Sequence, residues 1–286
     1  MLCAVCGSPM AGPRHGHYFR CPACRFQASD LAPGLHDERA HAALDEGARR
    51  DGLRGLRQRN FDRILQAIEP FRARPAPRLL DVGSAHGWFL DAASARGYEV
   101  TGLEPDGAIL AAHAGRHRVI QGLFPRDLPP GDRFDVITFH DVFEHLPEPG
   151  AVLRACAAAL EPGGVLVLNL PSSRGPLFRV AHPLAALGWR QPLDRLWQRG
   201  FPSPHLSYFD PENLSALLAR HGFEPVARLA LPALERGSLW QRLRLDRHGS
   251  WPAAALAWVA LQCAIPVLRR LPSDAIALVF RQNRIS

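Results

Sequence analysis

The sequence predicts an α/β protein: a doubly wound, mostly parallel sheet preceded by a small cysteine-bearing module. Three observations predict it. From Arg78 onward, short apolar runs alternate with helical stretches across short connections. The first run leads into a tight turn of small residues, Asp81-Val82-Gly83-Ser84-Ala85-His86-Gly87. Ahead of both, four cysteines fall into two Cys-x-x-Cys pairs.

The chain of 286 residues suits one large domain with a small appendage. Its 47% apolar and 21% charged residues are those of a globular protein, which argues against disorder over the whole length. The formal net charge of +7 is carried by arginine. It admits an anionic partner, such as nucleic acid, an acidic membrane surface or a phosphorylated substrate. It does not require one, because an Arg- and Ala-rich composition also follows from a GC-rich genome. Met1 to Met10 show no basic stretch before a long apolar run, so no secretory signal is expected. The cysteine usage suits a reducing cytoplasm.

Residues 1–30 hold too few apolar positions for a core of their own. Cys3, Cys6, Cys21 and Cys24 form two pairs separated by 14 residues, a spacing that suits a tetrahedral zinc ribbon. Gly7 fits the turn of the first knuckle, and four protein ligands make such a Zn2+ structural. His15 and His17, in the loop, are not expected as ligands. Residues 31–77 read as a helical linker. Its helix, over 37–69, places Leu53, Leu56, Ile64, Leu65 and Ile68 near helical spacing and ends at Pro70. Its arginines read as a solvated face.

Residues 78–286 make the large domain. Strands are expected at 78–82, 98–103, 118–120, 134–139, 165–170, 223–229 and 275–281. Helices are expected at 88–96, 108–114, 151–160 and 211–221, the last with Asp210 as N-cap and Pro211 at its first position. Two inserts interrupt the alternation, 172–207 and 233–272. The first is rich in Pro, Gly and Trp and too long for a plain connection, as lids are. The second contains the apolar stretch 251–268. Pro252, Gln262, Pro266 and many alanines argue against a membrane span there. A packed helix or substrate cap is the preferred reading, with peripheral membrane contact through 251–270 as the alternative. Cys156 and Cys263 read as small core residues.

The turn after the first strand can serve two cofactors. A dinucleotide site wants Gly-x-Gly-x-x-Gly, but Ala85 replaces the second glycine and Trp88 the third, which disfavours it. Asp-x-Gly-x-Gly-x-Gly is matched at Asp81, Gly83 and Gly87, with Ala85 as the departure. Glu104, 21 residues after Gly83 at the end of the second strand, can accept both hydroxyls of a ribose.

Phe134-Asp135-Val136-Ile137-Thr138-Phe139-His140-Asp141-Val142-Phe143-Glu144-His145-Leu146, the Pro162-Gly163-Gly164 turn, and Ser207-Tyr208-Phe209 with the following helix extend the pattern. Over roughly residues 60–230 the chain resembles class I S-adenosylmethionine-dependent methyltransferases. The branch it is similar to contains ubiquinone-type O-methyltransferases and zinc-ribbon methyltransferases of polysaccharide and lipid gene clusters. The resemblance implies a Rossmann-like seven-stranded sheet, order 3-2-1-4-5-7-6, with the last strand antiparallel. It implies that Gly83, Ser84, Ala85 and Gly87 contact the cofactor, that Gln121 and Gly122 lie near adenine, and that His140 and Asp141 lie beside the methionine part.

A sulfonium is already a good leaving group, so methyl transfer mainly needs an aligned acceptor. For a hydroxyl acceptor a general base helps, and His145 and then His205 are the candidates. Glu144 and His145 could instead hold a divalent cation. The expected activity is O-methylation of a small-molecule, saccharide or lipid-linked acceptor, in the cytoplasm or at the inner face of the membrane. The alternative is an rRNA or tRNA base methyltransferase whose zinc ribbon recognises RNA. The chain lacks an Asn-Pro-Pro-Tyr-like motif and an aromatic-interleaved basic patch, which counts against that alternative. A non-catalytic binding module has only Ala85 in its favour.

Overall fold

The structure, a computed structural model, describes residues 1–32, 46–111, 115–233, 239–240, 251–268 and 270–283. The chain begins with three short antiparallel strands, β1 (Ala11–Arg14), β2 (Tyr18–Arg20) and β3 (Gln27–Ser29). The second cysteine pair closes the β2–β3 hairpin: the Cys21 N–H donates to Phe26 O at 2.8 Å and the Arg25 N–H to Cys21 O at 3.0 Å. This module shares its core with the large domain, since Cys3, Val5, Cys21 and Phe26 are buried in one cluster with Leu80, Ile137 and Phe143.

Helix α1 (Glu46–Ile68) buries Leu56, Phe61, Ile64, Leu65 and Ile68 along one stripe. A single turn of 3-10 helix around Pro70 ends it. Residues 37–45 of the expected helix lie outside the described residues. Of its arginines, Arg54, Arg59 and Arg63 are exposed as expected, whereas Arg57 is half-buried and reaches the site described below.

The main sheet alternates with helices in chain order: β4 (Arg78–Val82), α2 (Trp88–Ser94), β5 (Glu99–Glu104), α3 (Gly107–Ala111), β6 (Arg118–Gln121), β7 (Phe134–His140), α4 (Pro149–Ala159) and β8 (Leu160–Pro171). Residues 112–114 of the expected third helix lie outside the described residues. Period-two alternation divides the strand residues between two cores. Leu79, Val136, Val165 and Val167 face α1 and α2, while Leu80, Ile137, Leu166 and Leu168 face α4 and the later helix α7 (Pro211–Ala219). Burial on both faces is why β7 and β8 are nearly all apolar. Strand β8 starts at Leu160, five residues earlier than expected. Gly163 at φ +82° carries the backbone through the turn, and a Cβ at Gly164 would meet the carbonyl oxygens of Glu161 and Asp135, so pairing with β7 begins before the turn is complete.

The remaining elements are α5 (Pro176–Ala186), α6 (Gln191–Leu196), β9 (Ser207–Tyr208), β10 (Phe223–Leu231), α8 (Trp251–Leu268) and β11 (Ala275–Gln282). The sheet order is β6-β5-β4-β7-β8-β11-β10, which is 3-2-1-4-5-7-6 counted along its own seven strands. β11 runs antiparallel to both neighbours.

The stretch 172–207, expected to be lid-like, is two helices pressed on the cysteine module. Phe178, Trp197 and Tyr208 surround Tyr18, and the Tyr18 and Trp197 rings stack at 4.8 Å. β9 then pairs with β3, Ala28 opposite Ser207, making a four-stranded second sheet. Much of the insert 233–272 lies outside the described residues. Its helix α8 leaves Trp251, Leu256 and Val259 exposed and buries Ile265. No helix among the described residues is long and apolar enough to cross a membrane. Cys156 lies in the core as expected, but Cys263 is exposed on α8, because the sequence pattern cannot tell which side of an all-apolar helix is covered.

Asp210 caps α7 as its sequence suggests: its side chain accepts from the Glu212 and Asn213 N–H groups, and Asn213 returns a bond to the Asp210 N–H. Asp210→Ala is expected to lower stability by about 1 kcal/mol, read as a drop in the urea unfolding midpoint.

Candidate functional site

The carboxyl ends of β4, β5 and β7 meet at the glycine-rich turn. The Gly83 N–H donates to Leu103 O at 2.7 Å, tying the turn to β5. Gly83 sits at φ +72°, and a Cβ there would lie 2.4 Å from Val142 Cγ2, so only glycine fits. Ala85 adopts φ +44°, the left-handed form a glycine would take freely, at a cost of about 1 kcal/mol. The departure from the motif therefore keeps the backbone path. Gly87, at φ +73°, opens α2. The Ser84 hydroxyl is buried against Gly102 and finds no hydrogen-bond partner among the described residues, so this residue turns its side chain into the protein.

Glu104 is buried where the turn and β5 meet. Its Oε2 accepts from the Ala85 N–H at 2.9 Å and its Oε1 from the Asp106 N–H at 3.1 Å. A carboxylate is an acceptor only, and its two oxygens suit the two hydroxyls of a diol. Gln121 lies opposite Glu104 on β6, and the Gly122 N–H donates to Glu104 O at 3.1 Å. Gln121 and Gly122 thus border the same end of the sheet. Asp81 lies beneath the turn, accepting from Thr138 Oγ1 at 2.8 Å, and burial pushes its pKa up to about 7.

His140 and Asp141 leave β7 in opposite directions. The His140 ring is buried between Phe89 and Phe61, with centroids at 4.1 and 5.0 Å. Burial pulls its pKa down to about 3, so the ring is neutral, and its Nε2 is 3.9 Å from Asp81. Asp141, at φ +55°, is half exposed and pairs with Arg57 at 3.0 Å. Helix α1 therefore covers the end of β7 through Arg57 and Phe61. The sequence reading missed both, since one arginine among many and one apolar helix residue carry no local signal.

On the other side of β7, the turn Phe143–His145 presents Glu144 and His145 toward His205. The Glu144 carboxyl is 1% exposed, with neither oxygen hydrogen-bonded among the described residues. Its Oε1 lies 4.0 Å from His145 Nε2 and 3.9 Å from His205 Nε2. Burial, and then the nearby Asp141 charge, hold its pKa well above the usual carboxylate range. The imidazole rings of His145 and His205 are 4.7 Å apart. His145 Nδ1 bonds to Pro204 O at 2.9 Å. A carbonyl only accepts, so Nδ1 carries the hydrogen and the Nε2 lone pair faces Glu144. Gln198, also missed from sequence, contacts His205 Nε2 at 2.9 Å. One ligand atom from each of Glu144, His145 and His205 lies within 4.8 Å of the others, a set that can trade a proton or hold a cation.

Cys3, Cys6, Cys21 and Cys24 form a second such group, all four sulfurs within 4.8 Å of one another. The pairs Cys3–Cys24 and Cys6–Cys21 are 3.5 Å apart. Zn–S bonds of about 2.3 Å in a tetrahedron put sulfurs about 3.8 Å apart, so the quartet fits zinc. His15 and His17 stand outside this group.

Residues 53–228, more than half of the chain, match a family model described as a methyltransferase domain. A ubiquinone biosynthesis O-methyltransferase of Cereibacter sphaeroides is 29% identical over 177 residues, covering 59% of this chain and 67% of that protein. Its counterpart in Marinobacter nauticus is 35% identical over 103 residues, covering 32% of this chain and 43% of that protein. Among solved structures, a SAM-dependent methyltransferase from Archaeoglobus fulgidus superposes with TM-score 0.52 at 19% identity, covering 80% of this chain and 94% of that one. The 1,6-didemethyltoxoflavin-N1-methyltransferase of Burkholderia thailandensis, solved with S-adenosylhomocysteine, gives 0.53 at 14%, covering 92% and 98%. These two likenesses concern the fold.

Two predictions follow from the turn. Glu104→Ala removes two acceptors of charge-assisted bonds, each worth about 1.5–3 kcal/mol. S-adenosylmethionine binding, measured by calorimetry, is expected to weaken by roughly 10²–10⁴-fold. The second concerns pH. The raised Asp81 value means that the folded, ligand-free protein keeps a proton the unfolded chain releases. Stability from this group is therefore full below about pH 4 and is lost as pH rises through about 7. Asp81→Asn removes that loss, so its urea midpoint should gain on the parent protein's between about pH 5 and about pH 8.

Proposed function

From the premise that the chain belongs to the methyltransferase-domain family and is an S-adenosylmethionine-dependent methyltransferase, we propose that it methylates a hydroxyl oxygen of a small-molecule acceptor: a quinone-like phenol, a saccharide or a lipid-linked saccharide. The observation that carries this reading is the buried carboxyl of Glu144 set between the Nε2 atoms of His145 and His205. A general base helps a hydroxyl acceptor react, and His145, beside this carboxyl, is placed to act as one. The O-methyltransferase names of the sequence relatives point the same way.

When bound, S-adenosylmethionine supplies a methyl group activated on a positively charged sulfur. The protein's own task is to align an acceptor hydroxyl and take its proton. The backbone of Gly83, Ser84, Ala85 and Gly87 would hold the cofactor's methionine end. Glu104 would accept the ribose hydroxyls, and Gln121 and Gly122 would border the adenine. His140 and Asp141, the latter held by Arg57, would flank the methionine part. His145 takes the acceptor proton at Nε2 while its Nδ1–H stays bonded to Pro204 O. The imidazolium so formed faces the Glu144 carboxyl. His205 lies against the same carboxyl, its Nε2 3.9 Å from Glu144 Oε1. The four cysteines hold a structural Zn2+. The protein works in the cytoplasm, where the exposed Trp251, Leu256 and Val259 of α8 suit peripheral contact with the inner face of the membrane.

The test is transfer of a labelled methyl group to a panel of catechols, prenylated phenols and sugars. His145→Ala should lower kcat by about 10²–10⁴ and leave S-adenosylmethionine affinity unchanged. Full activity in that variant would remove the base role. Activity that instead vanishes without added Mg2+ and returns with it would assign Glu144, His145 and His205 to a cation.

A further inference from the structure

We infer that the cysteine module serves the acceptor side of the site, with its Ser29 and Tyr18 acting as positioning residues for His205. The inference rests on the proposed role of His205. Ser29 spends both of its donors on the carbonyls of that residue and the next. Its Oγ–H donates to His205 O at 2.7 Å, a buried bond between residues 176 apart in sequence, and its backbone N–H donates to Leu206 O at 3.0 Å.

Tyr18 is the cross-strand partner of Ser29 in the β2–β3 hairpin, and it grips the preceding part of the same segment. Its ring stacks on Trp197, nearly parallel at 16°, and its hydroxyl donates to Asp194 Oδ1 at 2.6 Å. Trp197 O in turn accepts the His205 N–H at 3.0 Å. On the far side, the Leu206 N–H donates to Glu144 O at 2.9 Å. The His205 backbone is thus fixed by its carbonyl to Ser29, by its N–H to a tryptophan stacked on Tyr18, and by the next peptide to Glu144. One cross-strand pair of the module sets the distance between the His205 ring and the Glu144 carboxyl.

The cysteine quartet governs that pair. Cys21 and Cys24 form the knuckle that closes the hairpin, with the Cys21 N–H to Phe26 O bond just beyond it. Tyr18 lies three residues before the knuckle and Ser29 five after it, so the knuckle fixes their register. The cofactor turn is held differently, by Leu103 O and Glu104 on β5. The module should therefore tune acceptor chemistry and leave cofactor affinity alone.

The experiment uses the whole 286-residue chain, zinc-loaded, with Ser29→Ala, Ser29→Thr and Tyr18→Phe. The readout is the histidine Cε1–H NMR resonance of His205, assigned by its loss in His205→Gln. Zinc content and S-adenosylhomocysteine affinity, by calorimetry, serve as controls. Ser29→Ala and Tyr18→Phe should shift that resonance, Ser29→Thr should restore it, and both controls should stay within about twofold of the parent protein. Stripping zinc from the parent protein should shift the same resonance. An unmoved resonance in Ser29→Ala with zinc bound would overturn the inference. If Ser29→Ala loses zinc or fails to fold, Tyr18→Phe decides in its place, and an unmoved resonance there overturns the inference equally. A moved resonance, together with full methyl transfer in His205→Gln, would uphold the positioning and remove only the catalytic role of His205.

Discussion

The 2.9 Å hydrogen bond from the Ala85 N–H to the Glu104 carboxylate joins the ends of two adjacent parallel strands, and the cofactor side of the site hangs from it. A turn that passes through left-handed conformations at Gly83, Ala85 and Gly87 needs an external anchor, because successive positive φ values leave its N–H groups without helix or sheet partners. β5 provides two anchors, Leu103 O for Gly83 and the Glu104 side chain for Ala85. In the proposed reading the anchor is also the recognition group, so the bond that stabilises the turn holds the carboxylate meant for the cofactor's ribose. This places the site where open α/β sheets bind ligands, beyond the carboxyl ends of the strands.

The other half of the site has a different foundation. Glu144, His145 and His205 are held by backbone contacts: Pro204 O to His145, the Leu206 N–H to Glu144 O, and Ser29 Oγ to His205 O. Buried polar groups are costly unless their partners are fixed, and here the contacts tie together three separate stretches of chain, at Ser29, at Glu144–His145 and at 204–206. The cysteine module is too small to bury a core alone. It gains one by sharing Cys3, Val5, Cys21 and Phe26 with the large domain and by lending β3 as a pairing edge to β9. The same docking that stabilises the module orders the segment that carries His205.

How much of this was legible in the sequence follows from the range of the interactions involved. The strands were legible because apolar runs such as Phe134–His140 are local. The turn was legible because its glycines serve a backbone path that sequence spacing encodes. Even the place of Glu104 beside the turn was legible, since a βαβ unit fixes the offset between two strand ends. Arg57, Phe61, Gln198 and Ser29 could not. Arg57 meets Asp141 across 84 residues, and Ser29 meets His205 across 176, and neither has a local pattern. The Ser84 side chain faces Gly102 and not the ligand side, a rotation that a motif of small residues does not specify. The stretch 172–207 looked loop-like from its Pro, Gly and Trp content. It is helical because Phe178, Leu193 and Trp197 find a partner in Tyr18, a contact that no window of sequence contains.

The most direct measurement of the central claim, that the β4–β5 anchor forms the cofactor site and faces the Glu144–His145–His205 group, is a crystal structure of the protein with S-adenosylhomocysteine. The account predicts both ribose hydroxyls on the Glu104 carboxylate, the homocysteine backbone along Gly83 to Gly87, and the sulfur directed toward the space in front of His145. A ribose bound elsewhere, or a sulfur closed off from His145 and His205, would contradict it.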